Sequence, residues 1–275
     1  MSNRSRTGLM ELQGEARTGD VALYYEYTAP DRPCDSTLVF IHAHAVNHRM
    51  WEPQVKEFAA DYPVLRYDLR GYGYSSLPRE GEDYLHAEDL RQLLERLSIG
   101  KVHLIGLSLG AFVALDYWAL YPQQVGSVTV ASAGIPDPRP EAVTPFTGDI
   151  ADFKQAWYNS LLAHCGPDRN GYSQRLWAMI ADWTAWQPTH AEPECLLRER
   201  LLPMLKQCGP VPVCAIAGER DSEGAKASLR LLLEHVPQGE LVSMADVGHF
   251  CSMESPERFN SLLRSFWSRH AVLEG

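Results

Sequence analysis

The sequence predicts an α/β fold: a mostly parallel sheet with helices on both faces, into which a helical cap is inserted. Three observations predict it. Apolar runs of strand length alternate with stretches of helical spacing along most of the 275 residues. Such alternation implies right-handed crossovers, in which a helix returns the chain to the start of the next parallel strand. Each run is short enough to be a strand buried on both faces, and one tryptophan-rich region carries no strand signal at all.

In chain order, Glu11 to Tyr27 has β-rich character on both sides of Arg17-Thr18-Gly19-Asp20, a turn-forming cluster that predicts a hairpin at the antiparallel edge of the sheet. Strands are predicted at Thr37 to His42, Val64 to Tyr67, Val102 to Leu107, Val125 to Ala131, Val211 to Ala217 and Leu241 to Met244. Ala87, Leu90, Leu93, Leu94 and Leu97 recur at helical spacing, as do Phe112, Leu115, Trp118 and Ala119. From about Pro136 to Pro210 the rhythm breaks, and Trp157, Trp177, Trp183 and Trp186 crowd together with prolines and helical fragments. The domain organisation expected is therefore core over 1–135, helical cap over 136–210 and core again over 211–275. Ser255-Pro256-Glu257-Arg258 starts a terminal helix.

The composition, 45% hydrophobic and 22% charged, is that of a folded globular protein. A net charge of -10 repels phosphate backbones and anionic lipid, so a small neutral substrate fits better than nucleic acid or a membrane. Met1 to Arg17 has no continuous apolar segment, and the expectation is a cytoplasmic protein. The six cysteines form no CxxC pair, which argues for reduced, mostly buried thiols rather than a zinc or redox motif. Cys251 lies near His249 but lacks the arrangement of a nucleophile. An exposed apolar cap edge is compatible with a homodimer.

Chemistry concentrates at strand ends. Gly106-Leu107-Ser108-Leu109-Gly110 follows an apolar strand and precedes a helical run, the context of a nucleophile elbow. The glycines leave room for the strained turn that exposes the Ser108 hydroxyl. A hydroxyl needs a base, and Gly248-His249-Phe250 lies just beyond the last strand. The imidazole needs an orienting acid. Ala217-Gly218-Glu219-Arg220-Asp221 supplies Asp221, with Glu219 and Asp137 as rivals. The oxyanion needs backbone donors, for which the amides of Leu109 and of His44, in the loop Phe40-Ile41-His42-Ala43-His44-Ala45, are the candidates.

On these motifs the chain resembles the α/β-hydrolase superfamily. Beside the elbow, the acid strand and the histidine, the resemblance rests on His42 with Trp51 and on Asp68-Leu69-Arg70-Gly71-Tyr72-Gly73-Tyr74-Ser75, a structural turn. Where the family usually has His-Gly, this chain has His42-Ala43, which adds a methyl at the oxyanion loop. Met50-Trp51-Glu52-Pro53-Gln54, the Arg66-Tyr67-Asp68 strand end and the short cap look most like enol-lactone hydrolases and small carboxylesterases.

The resemblance implies hydrolysis of an ester or lactone without cofactor or metal. Haloalkane dehalogenases and epoxide hydrolases, with an aspartate at the elbow, are disfavoured by Ser108. A carbon-carbon bond hydrolase of a dienoate would keep the serine but need cations for a carboxylate, for which Arg175, Arg198 and Arg200 are available. A ligand-binding receptor with slow turnover is the alternative from another class. Trp157, Trp183 and Trp186 are expected to bind a hydrophobic part of the substrate.

Overall fold

The computed structural model describes residues 3–12, 21–32, 34–136, 144–191 and 193–270. Eight strands form one sheet in the order β1-β2-β4-β3-β5-β6-β7-β8: β1 (Asn3–Leu12), β2 (Val21–Pro30), β3 (Ser36–Ile41), β4 (Val64–Tyr67), β5 (Lys101–Leu107), β6 (Val125–Ala131), β7 (Val213–Gly218) and β8 (Gly239–Met244). From β4 to β8 every pairing is parallel, whereas β1–β2 and β2–β4 are antiparallel.

The buried strands coincide with the apolar runs: every residue of β4 and β7 is buried, as are all but the first of β3 and β5. The hairpin departs from the expectation. Its first strand begins at Asn3 rather than Glu11, and its second runs on to Pro30. Asn3 to Leu12 is too polar to register as a strand, yet as an edge strand it needs one neighbour and no apolar run. The turn cluster at 17–20 lies outside the described residues.

Helices cover the sheet: α1 (Glu52–Phe58), α2 (His86–Arg96), α3 (Leu109–Leu120), α4 (Ile150–Leu162), α5 (Tyr172–Asp182), α6 (Trp186–Thr189), α7 (Leu201–Leu205), α8 (Glu223–His235), α9 (Cys251–Glu254) and α10 (Pro256–Arg269). Local chemistry marks their starts. The Asp149 carboxylate accepts the amides of Ala151 and Asp152, the Ser222 hydroxyl accepts that of Ala225, and Pro256 occupies the first turn of α10. Such caps satisfy amides that the first turn leaves without partners.

Between β6 and β7 the described residues contain helices α4 to α7 and no strand. No helix among the described residues is long and apolar enough to cross a membrane.

After β3 the chain adds β4 on one side, then returns to place β5 on the other. The C-terminal ends of β3 and β5 therefore flank a switch point, where open α/β sheets leave a crevice for ligands.

Candidate active site

Ser108 stands between β5 and α3 with φ 55° and ψ −115°, a conformation that costs on the order of 1–3 kcal/mol for a residue with a side chain. Its amide donates to the Ala131 carbonyl at 2.9 Å, and its carbonyl accepts the Ala111 amide at 2.9 Å. Both flanking glycines are obligatory. A Cβ on Gly106 would lie 2.1 Å from the Gly110 oxygen, and one on Gly110 would lie 2.1 Å from the Ile41 oxygen. The turn thus folds onto itself and onto the end of β3 with no room for a methyl.

His249 and Asp221 meet at the ends of the neighbouring strands. Asp221 Oδ1 accepts the Ser222 amide at 2.7 Å and His249 Nδ1–H at 3.0 Å. Since the carboxylate oxygen accepts, Nδ1 carries the proton and Nε2 presents its lone pair. Asp221 Oδ2 is buried without a partner among the described residues, so this carboxylate would interact strongly with an imidazolium. Of the rival acids, Glu219 is turned to the surface and accepts the Asp246 amide at 3.1 Å; Asp137 lies outside the described residues.

Among the described residues no hydrogen bond joins Ser108 to His249. Ser132 links their positions, bordering one cavity with Ser108 and donating its hydroxyl to the His249 carbonyl at 2.7 Å.

Sequence reasoning missed the residue that holds the histidine loop. The buried Glu254 carboxylate accepts the amides on both sides of His249, from Gly248 at 2.9 Å and Phe250 at 3.0 Å, and that of Gly166 in the β6–β7 segment at 2.6 Å. The His249 amide itself donates to the His164 carbonyl at 2.9 Å, so close that a Cβ on Gly248 would lie 1.7 Å from that oxygen. Nothing in the sequence separates Glu254 from the exposed Glu257 beyond its place in a short buried turn.

Leu109 is the first residue of α3, so its amide has no acceptor within the helix and points outward from the positive end of the dipole. The loop after β3 approaches the same turn. His42 is fully buried, and burial depresses its imidazole to about 4. Its Nε2 accepts the Leu69 amide at 2.9 Å, which leaves Nδ1–H to donate to the Ala43 carbonyl at 2.8 Å. Ala43 is buried with negative φ; the left-handed residue of the loop is Ala45, at φ 61°. The extra methyl is thus packed without moving the strain onto position 43.

The His44 side chain is held from several sides. Its Nδ1 lies 2.7 Å from the Tyr72 hydroxyl, and its ring meets Trp157 and Trp183 edge to face at 5.4 and 5.0 Å. Burial, with the His42 charge, depresses it to about 4, so the imidazole is neutral at neutral pH.

Two cavities border Ser108. One of about 350 Å³ is lined by His44, Tyr72, Leu109, Phe112, Trp186 and Arg198 among others; a second of about 710 Å³ runs from Ser132 toward α8 and also meets Phe112 and Arg198. Trp186 therefore reaches the cavity at Ser108, whereas Trp157 and Trp183 stand behind His44. Trp177 packs on Tyr158 instead. A larger groove of about 780 Å³ between α1, α5 and α10 holds Arg175 and does not reach Ser108. Among the described residues no group of three or more His, Cys, Asp and Glu is placed to hold a metal ion. Cys251 is buried, and burial raises its thiol far above the ordinary range.

A model of the alpha/beta hydrolase family matches residues 38–262. The chain belongs to this family. Among its relatives, 3-oxoadipate enol-lactonase 1 of Acinetobacter baylyi is 25% identical over 241 residues, covering 83% of this chain and 87% of the relative. A pimeloyl-[acyl-carrier protein] methyl ester esterase of Aeromonas salmonicida is 30% identical over 251 residues, covering 83% and 94%. Among solved structures, a thermophilic esterase from Thermogutta terrifontis superposes with a TM-score of 0.74 at 21% identity, covering 97% of this chain and 99% of the other. The hydrolase fold is thereby established, and two of the relatives named here are an enol-lactonase and a methyl ester esterase.

Proposed function

We propose that this α/β-hydrolase cleaves a small carboxylic ester or lactone with Ser108 as nucleophile, His249 as general base and Asp221 as the acid that orients it. The observation that carries the reading is the strained Ser108 backbone at the switch point, with the His249–Asp221 pair at the same edge of the sheet. Ser98 and Ser132 also have positive φ, but at Ser108 φ 55° is combined with ψ −115°, outside the left-handed helical region, so its surroundings hold it in strain.

Ser108 Oγ attacks the carbonyl carbon while His249 Nε2 removes its proton. The negative charge that develops on the carbonyl oxygen is received by the Leu109 and His44 amides, already positioned before reaction. His249 returns the proton to the leaving alkoxide, and an acyl group remains on Ser108. Water, deprotonated by the same imidazole, then releases the acid. Trp186 supplies an apolar wall for the substrate, and Trp157 and Trp183 hold the His44 ring from behind. The enol-lactonase and methyl ester esterase relatives support this substrate class.

The test is acid release in a pH-stat from short esters, aryl esters and lactones, with wild type beside Ser108→Ala. Release that is fast in the wild type and at least about 10³-fold slower in the variant is expected. Equal inertness of both proteins on the whole panel, with ligand still bound, would reject ester hydrolysis.

A further inference from the structure

Resting on Ser108 as the nucleophile, we infer that His86 donates its Nε2–H to a neutral oxygen of the substrate, so that the ester or lactone cleaved here carries a keto, hydroxyl or ether oxygen beyond the group being cleaved. His86 is the first residue of α2 and only 2% exposed, yet it lines the 350 Å³ cavity that Ser108 borders. Its Nδ1 is sealed from solvent without a partner, and no hydrogen bond reaches Nε2 among the described residues. A buried polar group left in this way needs an explanation, and a ligand oxygen in the adjoining cavity supplies one.

Neighbouring polar groups of the cavity are already engaged. The His44 Nδ1 and the Tyr72 hydroxyl bond to each other at 2.7 Å. Gln187 accepts the Trp183 indole N–H at 2.9 Å and donates to the Gly71 carbonyl at 3.1 Å. Apolar walls stand beside them, with Phe112, Trp186, Pro188 and Leu196. In such a lining an unpaired imidazole discriminates between substrates, because one that lacks the matching oxygen displaces water and leaves the ring unsatisfied.

Burial, with the charge of Arg70, pushes the His86 imidazole down to about 3, so at neutral pH the ring is neutral and carries one proton. In folded proteins a sealed N–H without an acceptor is rarer than a sealed acceptor without a donor, which puts the proton on Nε2. A neutral donor has no charge with which to hold a carboxylate, and the chain's net charge of -10 repels anions; the fitting partner is a neutral oxygen. The mount is rigid. The His86 amide donates to the Cys195 carbonyl at 3.2 Å, and its ring meets Tyr84 edge to face at 5.0 Å. The Arg70 guanidinium lies 4.2 Å over the Tyr84 ring while it donates to Asp89, one turn further along α2, at 2.8 Å. An imidazole fixed from these sides selects by the position of the oxygen as well as by its presence.

The experiment measures acid release from butyl hexanoate and from analogues in which one methylene of either chain, separated from the ester by at least two carbons, is replaced by an ether oxygen. Such an oxygen accepts a hydrogen bond, donates none and leaves the chain nearly unchanged in size. The wild type is expected to favour at least one analogue over the parent about tenfold in kcat/KM, His86→Leu to lose that preference, and His86→Gln, which keeps a donor, to retain part of it. Because the readout is a ratio between substrates of one protein, any loss of folded protein cancels. Ratios that are the same in wild type and His86→Leu would overturn the proposal and leave the ring to a bound water. A lower melting temperature of His86→Leu with unchanged ratios would overturn it as well, in favour of a structural role. The nucleophile is read separately: if Ser108→Ala hydrolysed butyl hexanoate as fast as wild type, that reading would fail whatever His86 does.

Discussion

Replacing Glu254 by glutamine changes one oxygen to an NH₂ in a pocket that receives three amides. Gly248 and Gly166 donate to Oε2 and Phe250 donates to Oε1. Whichever way the new amide turns, its NH₂ faces at least one N–H, and a buried donor left without an acceptor costs about 1–3 kcal/mol. The remaining bonds lose the assistance of charge, so the total expected is about 2–4 kcal/mol of stability. Urea unfolding measures it as a lower midpoint with unchanged slope.

Because two of the three amides flank His249, the imidazole should lose its fixed position as well. A displacement on the order of 1 Å costs about 10²-fold in rate, so kcat should fall 10- to 100-fold (about 1.4–2.7 kcal/mol) while KM changes little. The Nδ1–H resonance of His249, which reports the bond to Asp221, should broaden in the variant. An unfolding free energy within about 0.5 kcal/mol of wild type, together with unchanged kcat, would refute the reasoning and reduce Glu254 to a passive filler.

Asp116 gives a pH dependence. Burial raises its carboxyl from 3.8 to about 7, so above 3.8 the unfolded chain ionises while the folded one resists, and the folded state loses stability as pH rises toward 7. About three pH units correspond to at most about 4 kcal/mol, and Asp116→Asn should lack this decline; parallel stability curves for the two proteins between about pH 4 and pH 8 would contradict it. Tyr72→Phe removes the hydroxyl at His44 Nδ1 and should cost about 1 kcal/mol of stability by denaturant titration, with kcat/KM reduced severalfold. Trp186→Ala should slow bulky esters relative to acetate esters, and an unchanged ratio across ester sizes would count against a wall at that position.

How far the sequence is legible depends on whether a residue's role is local. The strands β3 to β8 and the elbow are legible because an apolar run and a glycine pair act within a few positions of themselves. Ser108, Asp221 and His249 are proposed from their order along the chain, and the sheet brings His249 and Asp221 to hydrogen-bonding distance. Edge strand β1 escapes, since Asn3 to Leu12 carries no apolar run and a strand with a single neighbour needs none. The tryptophans separate the same way: four fall in one segment, but their neighbours come from distant loops, so Trp186 at the cavity and Trp157 behind His44 cannot be told apart by spacing.

The support of the loop after β3 is the least local feature of all. Asp68 accepts the His48 amide and its imidazole, each at 2.8 Å, and the Tyr74 amide at 2.9 Å, joining the loop after β3 to the turn after β4. Burial pulls His48 down, but hydrogen bonds to Asp68 and Glu26 outweigh it and hold its pKa above the ordinary value. Glu26 in turn pairs with Arg66, so the cluster spans β2, β4 and both loops. A charge so deep costs several kcal/mol unless every partner is present, so the turn after β4 and the loop after β3 must be held together for Asp68 to stay buried. As pH falls toward about 2, where Glu26 takes up its proton, the cluster loses an anion and keeps its cations. The loop that carries the His44 amide should then loosen along with the hairpin strand that holds Glu26, a coupling that no pattern within either segment could announce.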